Sequence, residues 1–358
     1  MREATSADEA GAEPRPGPRN ALTDVAGLRV GNARDLRVRT GVTVVIADLP
    51  VLAAVDVRGG APGTINTDAL GPGGLIDTLH AVVLAGGSAF GLAAATALMA
   101  PLARDGRGFR DWGPTVPLVA GAILFDLLNG GDKEGLGPEL YGRLALEAYA
   151  AAGPEVPLGK VGAGTGAIAG PLEGGLGTAS VVDPATGVTV AALVAVNALG
   201  GVTFPGEAAF LAGHLAFPGE LEPVPPPRAP SGPRFETKRG LGQAQLGRNT
   251  TIGVVATDAR LDRDGLRRLA AQAQSGLAMA IRPVHTLFDG DTVFALSTRT
   301  VRPPERPDLL IRLGALVADC TARAVMRGVQ AAVRLGEIPA WRERAAEVRG
   351  DPPSAAPG

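Results

Sequence analysis

Apolar positions along the 358-residue chain fall into short runs separated by Gly/Pro-rich breaks. Leu28–Val30 and Val42–Ala47 are rich in β-branched residues and predict strands. So do the apolar runs 81–85, 179–182, 188–196, 251–257 and 292–298. Helical spacing marks other segments. Phe90 to Ala100 is Ala-rich, and Leu140, Leu144 and Ala148 recur at four-residue intervals within 140–151. Leu266, Leu269, Ala273, Leu277 and Ala280 share one face of a helix over 262–281. Val116–Leu128 reads as a strand leading into a helix, and Asp308, after Pro307, is placed to cap a helix running to about Val333. Strands and helices mix without regular βαβ spacing, so the pattern predicts a mixed α and β protein and fixes no topology.

The breaks carry their own information. Residues 1–19 are polar and Pro/Gly-rich and read as a disordered tail. Residues 57–75 form a Gly/Pro/Asn/Asp loop long enough to expect function or mobility. A second glycine loop spans 159–170. Seven prolines between 217 and 235 exclude helix or central strand, which predicts an exposed linker over 217–247. Residues 336–358 are charged, then Pro/Ala/Gly-rich, and read as a fraying tail.

Composition removes several function classes. Net charge is −2 with no basic stripe, and aromatics are 4%, so a nucleic-acid partner is not expected. No apolar run reaches membrane-spanning length, and the acidic N-terminus lacks a signal-peptide core, which predicts a cytoplasmic protein without a membrane partner. Cys320 is the single cysteine, so a disulfide or a multi-thiolate metal site within the chain is excluded. His80, His214 and His285 lack metal-ligand spacing and read as packing or surface residues. Gly162–Ala167 is a poor dinucleotide motif with no apolar strand before it. Gly86–Gly91 is not a nucleophile elbow, since its last glycine comes one place late.

Two short stretches bear on chemistry. GRNTTIGVVATD (247–258) runs from a polar linker into a buried strand, and alone reads as a Thr-rich strand start. FDGDT (288–292) places Asp289 and Asp291 either side of Gly290; alone it reads as a hairpin turn. In an extended segment those two carboxylates point the same way.

The order of LTDVAGLRVGNA (22–33), VRGGAPGT (57–64), LAGGSAFGL (84–92), VPLVAGAILFDL (116–127), GKVGAGTGA (159–167) and NTTIGVVATDA (249–259) resembles the L-aminopeptidase/D-amidase-esterase (DmpA-type) family. That group includes β-peptidyl aminopeptidases and 6-aminohexanoate-oligomer (nylon-oligomer) hydrolases. The resemblance covers about 20 to 335. It implies an α+β fold, an αββα sandwich of the DmpA/ornithine acetyltransferase type, with 20–335 as one catalytic domain. It also implies self-cleavage between Asn249 and Thr250 into chains 1–249 and 250–358, assembled as a homotetramer of αβ units. Thr250 would be nucleophile and, through its new α-amine, its own base; such an amine has a pKa of about 7.7–8.0. Asn197, in VAVNALG, matches an oxyanion-binding amide, and Asp289 and Asp291 match two active-site acids. Thr as nucleophile with an Asp/Asp pair leans toward the nylon-hydrolase-like branch.

Lys160 is a further catalytic candidate, with a solvated loop lysine as the alternative. Ser88 and Arg58 are candidates for substrate binding, with a helix cap and a surface charge as theirs. The mechanism needs no metal or organic cofactor. The expected substrate is a small amide, a short peptide or an ω-amino-acid oligomer. The competing readings are an acyltransferase of the ornithine acetyltransferase type and an uncleaved, non-enzymatic binding protein.

Overall fold

The computed structural model describes residues 13–110, 113–228, 234–238 and 249–351. In its first half, strands β1 (Leu28–Asp35), β2 (Thr40–Val57), β3 (Thr64–Ile65) and β4 (Thr78–Ala85) lead to helix α1 (Ala93–Arg104), then β5 (Val119–Ile123) and α2 (Pro138–Ala150). A small hairpin, β6 (Ile168–Ala169) and β7 (Leu172–Glu173), precedes β8 (Leu176–Asp183) and β9 (Val188–Asn197). The chain closes with β10 (Thr250–Ala259), α3 (Arg263–Ala280), β11 (Thr292–Val301), α4 (Leu309–Gln330) and α5 (Trp341–Arg349).

Hydrogen bonds link the large sheet in the order β3-β5-β4-β2-β11-β10-β9-β8, with β1 also on β2. The 18-residue β2 makes this possible. Its first half pairs with β1 and β4; its second half pairs with β11. Between the halves, Asp48, Leu49 and Pro50 are exposed and the register with β4 shifts. The sheet folds back on itself there, and period-two alternation sorts its side chains into three apolar layers. Val45, Ala47, Val51 and Ala53 of β2 face the central layer, together with Val82, Leu84, Leu193, Ile252, Val254 and Phe294. On its other face, Val42, Val44 and Ile46 meet α1 and α2, whereas Leu52 and Ala54 belong to the layer under α3 and α4. The result is four layers, helix–sheet–sheet–helix, as the resemblance implies. No helix among the described residues is long and apolar enough to cross a membrane.

β10 and β11 run parallel, side by side, in the middle of the second layer. The α3 helix between them starts at Asp262, whose carboxylate accepts the Gly265 N–H at 2.8 Å. Asp308 stands at the equivalent position of α4 but makes no capping bond, because its carboxylate is taken by Arg306 at 2.6 and 2.7 Å.

Four expectations are corrected. Residues 13–19 are not a loose tail: Arg15 pairs with Val182 of β8, and Gly17 N–H donates to Ser180 Oγ at 3.1 Å. The start of the Pro-rich stretch is anchored to the fold, although Pro218, Gly219 and Pro223 are exposed as expected. Glu220 forms a buried ion pair with Arg323 at 2.6 Å, and the Phe217 ring lies 4.4 Å from that guanidinium. No helix follows β5 directly; Phe125 and Asp126 turn toward the site, and helix resumes at Pro138. Residues 341–349 do not fray, because Trp341 is fully buried, stacks on Phe210 and donates to Ala208 O at 2.8 Å. The remainder of the expected tails and linker (1–12, 229–233, 239–247 and 352–358) lies outside the described residues.

Candidate active site

Thr250 opens β10 directly opposite Asn197, the last residue of β9. Both are buried, as is Asn249. Three features converge on the Asn249–Thr250 bond. Thr250 Oγ1 donates to the Asn249 carbonyl oxygen. The Gly290 N–H donates to the same oxygen at 3.2 Å. Gly290 itself presses on the hydroxyl: a Cβ there would lie 2.8 Å from Thr250 Oγ1.

The turn carrying Gly290 is fixed by its flanking acids. Asp291 Oδ1 accepts the Thr251 N–H at 2.7 Å, and Oδ2 takes the His285 N–H at 3.0 Å and Nδ1 at 2.8 Å. Asp289 accepts from Leu199 N–H at 3.3 Å and from Thr286 N–H and Oγ1 at 2.9 and 2.5 Å. Burial, then the neighbouring Asp291 charge, push the Asp289 carboxyl above the usual carboxylate range. Asp291 thus ties the turn to Thr251 of β10, and Asp289 ties it to Leu199 just past β9. The 57–75 loop packs behind it, with Arg58 and Ala61 N–H groups donating to Asp291 O and Asp289 O at 2.9 and 2.8 Å. His285, read from sequence as a packing or surface residue, instead belongs to this turn.

A cleft of about 520 Å³ opens beside the bond, lined by Asn249, Asn197, Lys238, Phe125, Asp126 and Arg39 among others. Asn197 Oδ1 accepts from Ile168 N–H at 3.0 Å and Lys238 Nζ at 2.9 Å, and Nδ2 donates to Phe125 O at 2.9 Å. Lys238 and Asp126 are among the cleft residues that sequence reasoning missed. Lys238 sits in the stretch read as exposed linker. Asp126 sits in an apolar run, yet it accepts the Gly87 N–H at 2.8 Å and the Thr40 hydroxyl at 2.7 Å. The helix N-terminus at LAGGSAFGL thus receives a carboxyl group from its own chain. Gly86 is required there, since a Cβ would lie 2.2 Å from Asp126 Oδ2. Burial raises the Asp126 carboxyl, and the Thr40 bond draws it part of the way back.

The other candidates stand apart from the Asn249–Thr250 bond. Lys160 is buried, donates to Ala167 O at 2.5 Å and forms an ion pair with buried Glu173. Burial lowers its ammonium pKa and Glu173 opposes that shift. It lines a small chamber next to the cleft. Arg58 pairs with Asp56 at 2.6 Å with its side chain half exposed, a hydrogen bond that raises its pKa. Ser88 begins the turn before α1 with φ of 54°, and its N–H donates to Leu124 O at 3.0 Å. Neither lines the cleft. Lys160→Met is expected to strand the Glu173 charge and cost about 3–5 kcal/mol, with Glu173→Leu restoring most of it. Denaturant unfolding of the single and double variants checks this. Full stability with lost activity would instead give Lys160 a chemical role.

Two solved structures match this fold over nearly their whole length. One is a Burkholderia sp. β-aminopeptidase (TM-score 0.69, 22% identity, 97% of each chain). The other is an L-aminopeptidase D-Ala-esterase/amidase from Ochrobactrum anthropi (TM-score 0.68, 21% identity, 96% of this chain and 98% of that one), described as a variant of the Ntn hydrolase fold. The four layers are therefore those of this variant of the Ntn hydrolase fold. The pattern that defines Peptidase family S58 matches residues 20–338, and the chain belongs to that family. It is an amide-bond hydrolase. It is 42% identical over 342 residues to a Mycobacterium tuberculosis protein named an uncharacterized aminopeptidase, covering 90% of this chain and 97% of that one. It is 30% identical over 303 residues to a 6-aminohexanoate-oligomer endohydrolase of Paenarthrobacter ureafaciens, covering 79% and 76%.

Proposed function

We propose that this hydrolase makes its own nucleophile by cutting the Asn249–Thr250 bond, and then cleaves short peptides or ω-amino-acid oligomers through an acyl-enzyme on Thr250. One observation carries the reading: the Thr250 hydroxyl and the Gly290 N–H meet on the Asn249 carbonyl. Thr250 Oγ1 attacks that carbonyl carbon, and the Gly290 N–H steadies the oxyanion that forms. The hydroxyl proton passes to the departing Thr250 nitrogen, the C–N bond breaks and an ester remains. Water then displaces Oγ1 and leaves a carboxylate on Asn249 and a free α-amine on Thr250. That amine is the base for each later turnover, so no catalytic histidine is needed. Asn197, opposite Thr250 and lining the cleft, is the side-chain donor for the substrate's oxyanion.

The names of the relatives support both substrate types. A multimer of cut units belongs to the same reading; it would cover apolar side chains such as Leu49 and Leu75, 77% and 92% exposed.

Intact mass under denaturing conditions tests the proposal. Pieces of about 25 and 11 kDa are expected from the 36.1 kDa chain, in proportion to 249 and 109 of its residues, the smaller beginning at Thr250. A single species at full mass would overturn self-processing. The base gives a second expectation. Only the neutral amine accepts a proton, so kcat/KM for hydrolysis should rise with pH through about 7.7–8.0, or higher where the nearby carboxylates favour the ammonium form. Self-cleavage, which precedes the free amine, should lack that limb. Identical profiles would assign the base elsewhere.

A further inference from the structure

An asparagine amide has nearly the same shape in its two orientations, so its neighbours decide which way it points. For Asn197 the three recorded contacts agree. Ile168 N–H and the Lys238 ammonium only donate, and both meet Oδ1; Phe125 O only accepts, and it meets Nδ2. Two of these partners are main chain. The third is a charged side chain, and a bond to an ionised donor is roughly twice as strong as a neutral one. An ammonium on Oδ1 also draws electron density from the amide and strengthens its N–H groups as donors.

Lys238 is built into this position. Its own N–H donates to Leu199 O at 3.2 Å, and Gly201 N–H donates to Glu236 O at 2.9 Å. Thr237 bridges Gly200 between them. These bonds pair 236–238 with 199–201, two to four residues past Asn197, and bring the lysine back over the asparagine, where Nζ also meets Asn197 O at 3.2 Å. Lys238 lines the same cleft as Asn197 and Asn249.

We infer that Lys238 is a positioning residue that aims and polarises the Asn197 amide for oxyanion binding. The inference rests on the reading that Thr250 and Asn197 carry the reaction. A mutant cycle tests it, using Asn197→Ala, Lys238→Met, the double variant and Lys238→Arg. Two rates are measured: self-cleavage during cell-free synthesis, and hydrolysis of aminoacyl p-nitroanilides and the linear 6-aminohexanoate dimer.

Asn197→Ala is expected to slow the oxyanion-forming step by roughly 10²–10³. Lys238→Met should lower kcat by about tenfold or more with KM unchanged, and Lys238→Arg should restore most of the rate, since it keeps a charged donor. The double variant should be no slower than Asn197→Ala alone, because residues that act as one unit are not additive. A merely structural lysine would move thermal stability and leave neither the kcat-only loss nor the non-additivity. Should the methionine variant not fold, Lys238→Gln retains a donor without charge and should fall between Met and Arg.

A wild-type kcat for Lys238→Met beside a slow Asn197→Ala overturns this inference alone, as do additive losses. Wild-type rates for Asn197→Ala overturn it together with the role given to Asn197. The nucleophile is tested separately through Thr250.

Discussion

Thr250→Ala is expected to remain a single 36.1 kDa chain and to lose hydrolysis by roughly 10⁴–10⁶, the scale seen when a covalent nucleophile is removed. The substitution deletes a methyl and a hydroxyl at the start of β10. The recorded bond of that hydroxyl is to the Asn249 carbonyl next to it, so the fold loses little, and thermal unfolding should shift only slightly. Thr250→Ser keeps the attacking oxygen and should still process. Intact masses and hydrolysis rates for the three proteins check this. Cleavage of the alanine variant at the same bond would remove Thr250 from the self-processing step.

Gly290→Ala is the second large effect, and it removes no reacting side chain. The new methyl would lie 2.8 Å from Thr250 Oγ1, 2.7 Å from Ala61 O and 3.1 Å from Pro62 Cα. Two of these are main-chain atoms of the loop that packs on the turn, so the turn itself must move. With it moves the N–H that meets the Asn249 carbonyl. Losing one such donor costs roughly 10²–10³ in rate, and displacing the hydroxyl adds to that. Pulse-labelled processing should slow by at least about a hundredfold. Gly153→Ala, where an added Cβ meets nothing within 4 Å, should process normally. Normal processing by Gly290→Ala would show that the hydroxyl does not need this contact.

The strand runs were legible because the sheets are covered on both faces, which makes their sequences nearly continuous in apolar residues. The same property hid the layering. Val194 and Leu193 look alike in sequence, yet one meets α4 and the other the central layer. The 18-residue β2 read as 42–47 alone, because Asp48-Leu49-Pro50 breaks the pattern where the sheet folds back. The α5 helix buries only Trp341 and Ala345, too few to set a period. Thr250, Asn197, Asp289 and Asp291 were named through motif resemblance; neither their spacing nor their residue types would have singled them out. The unseen partners have physical reasons too. Asp126 lies within apolar sequence that suggests no polar role. His285 lacks a metal-ligand spacing. Lys238 follows a run of prolines that marks surface, although its main chain pairs with residues just past β9.

Under the proposed cut before Thr250, the place of β10 in the sheet would govern the lifetime of the processed protein. It is held by β9 on one side and β11 on the other, and β11 in turn by β2. The precursor forms that arrangement as a single chain, a first-order event independent of concentration. Once the bond before Thr250 is broken, two molecules must find each other to restore four adjacent strands. Unfolding would then be a loss that dilution makes permanent, and the durability of the cut enzyme would be set by how slowly those ladders open and not by the equilibrium that built them.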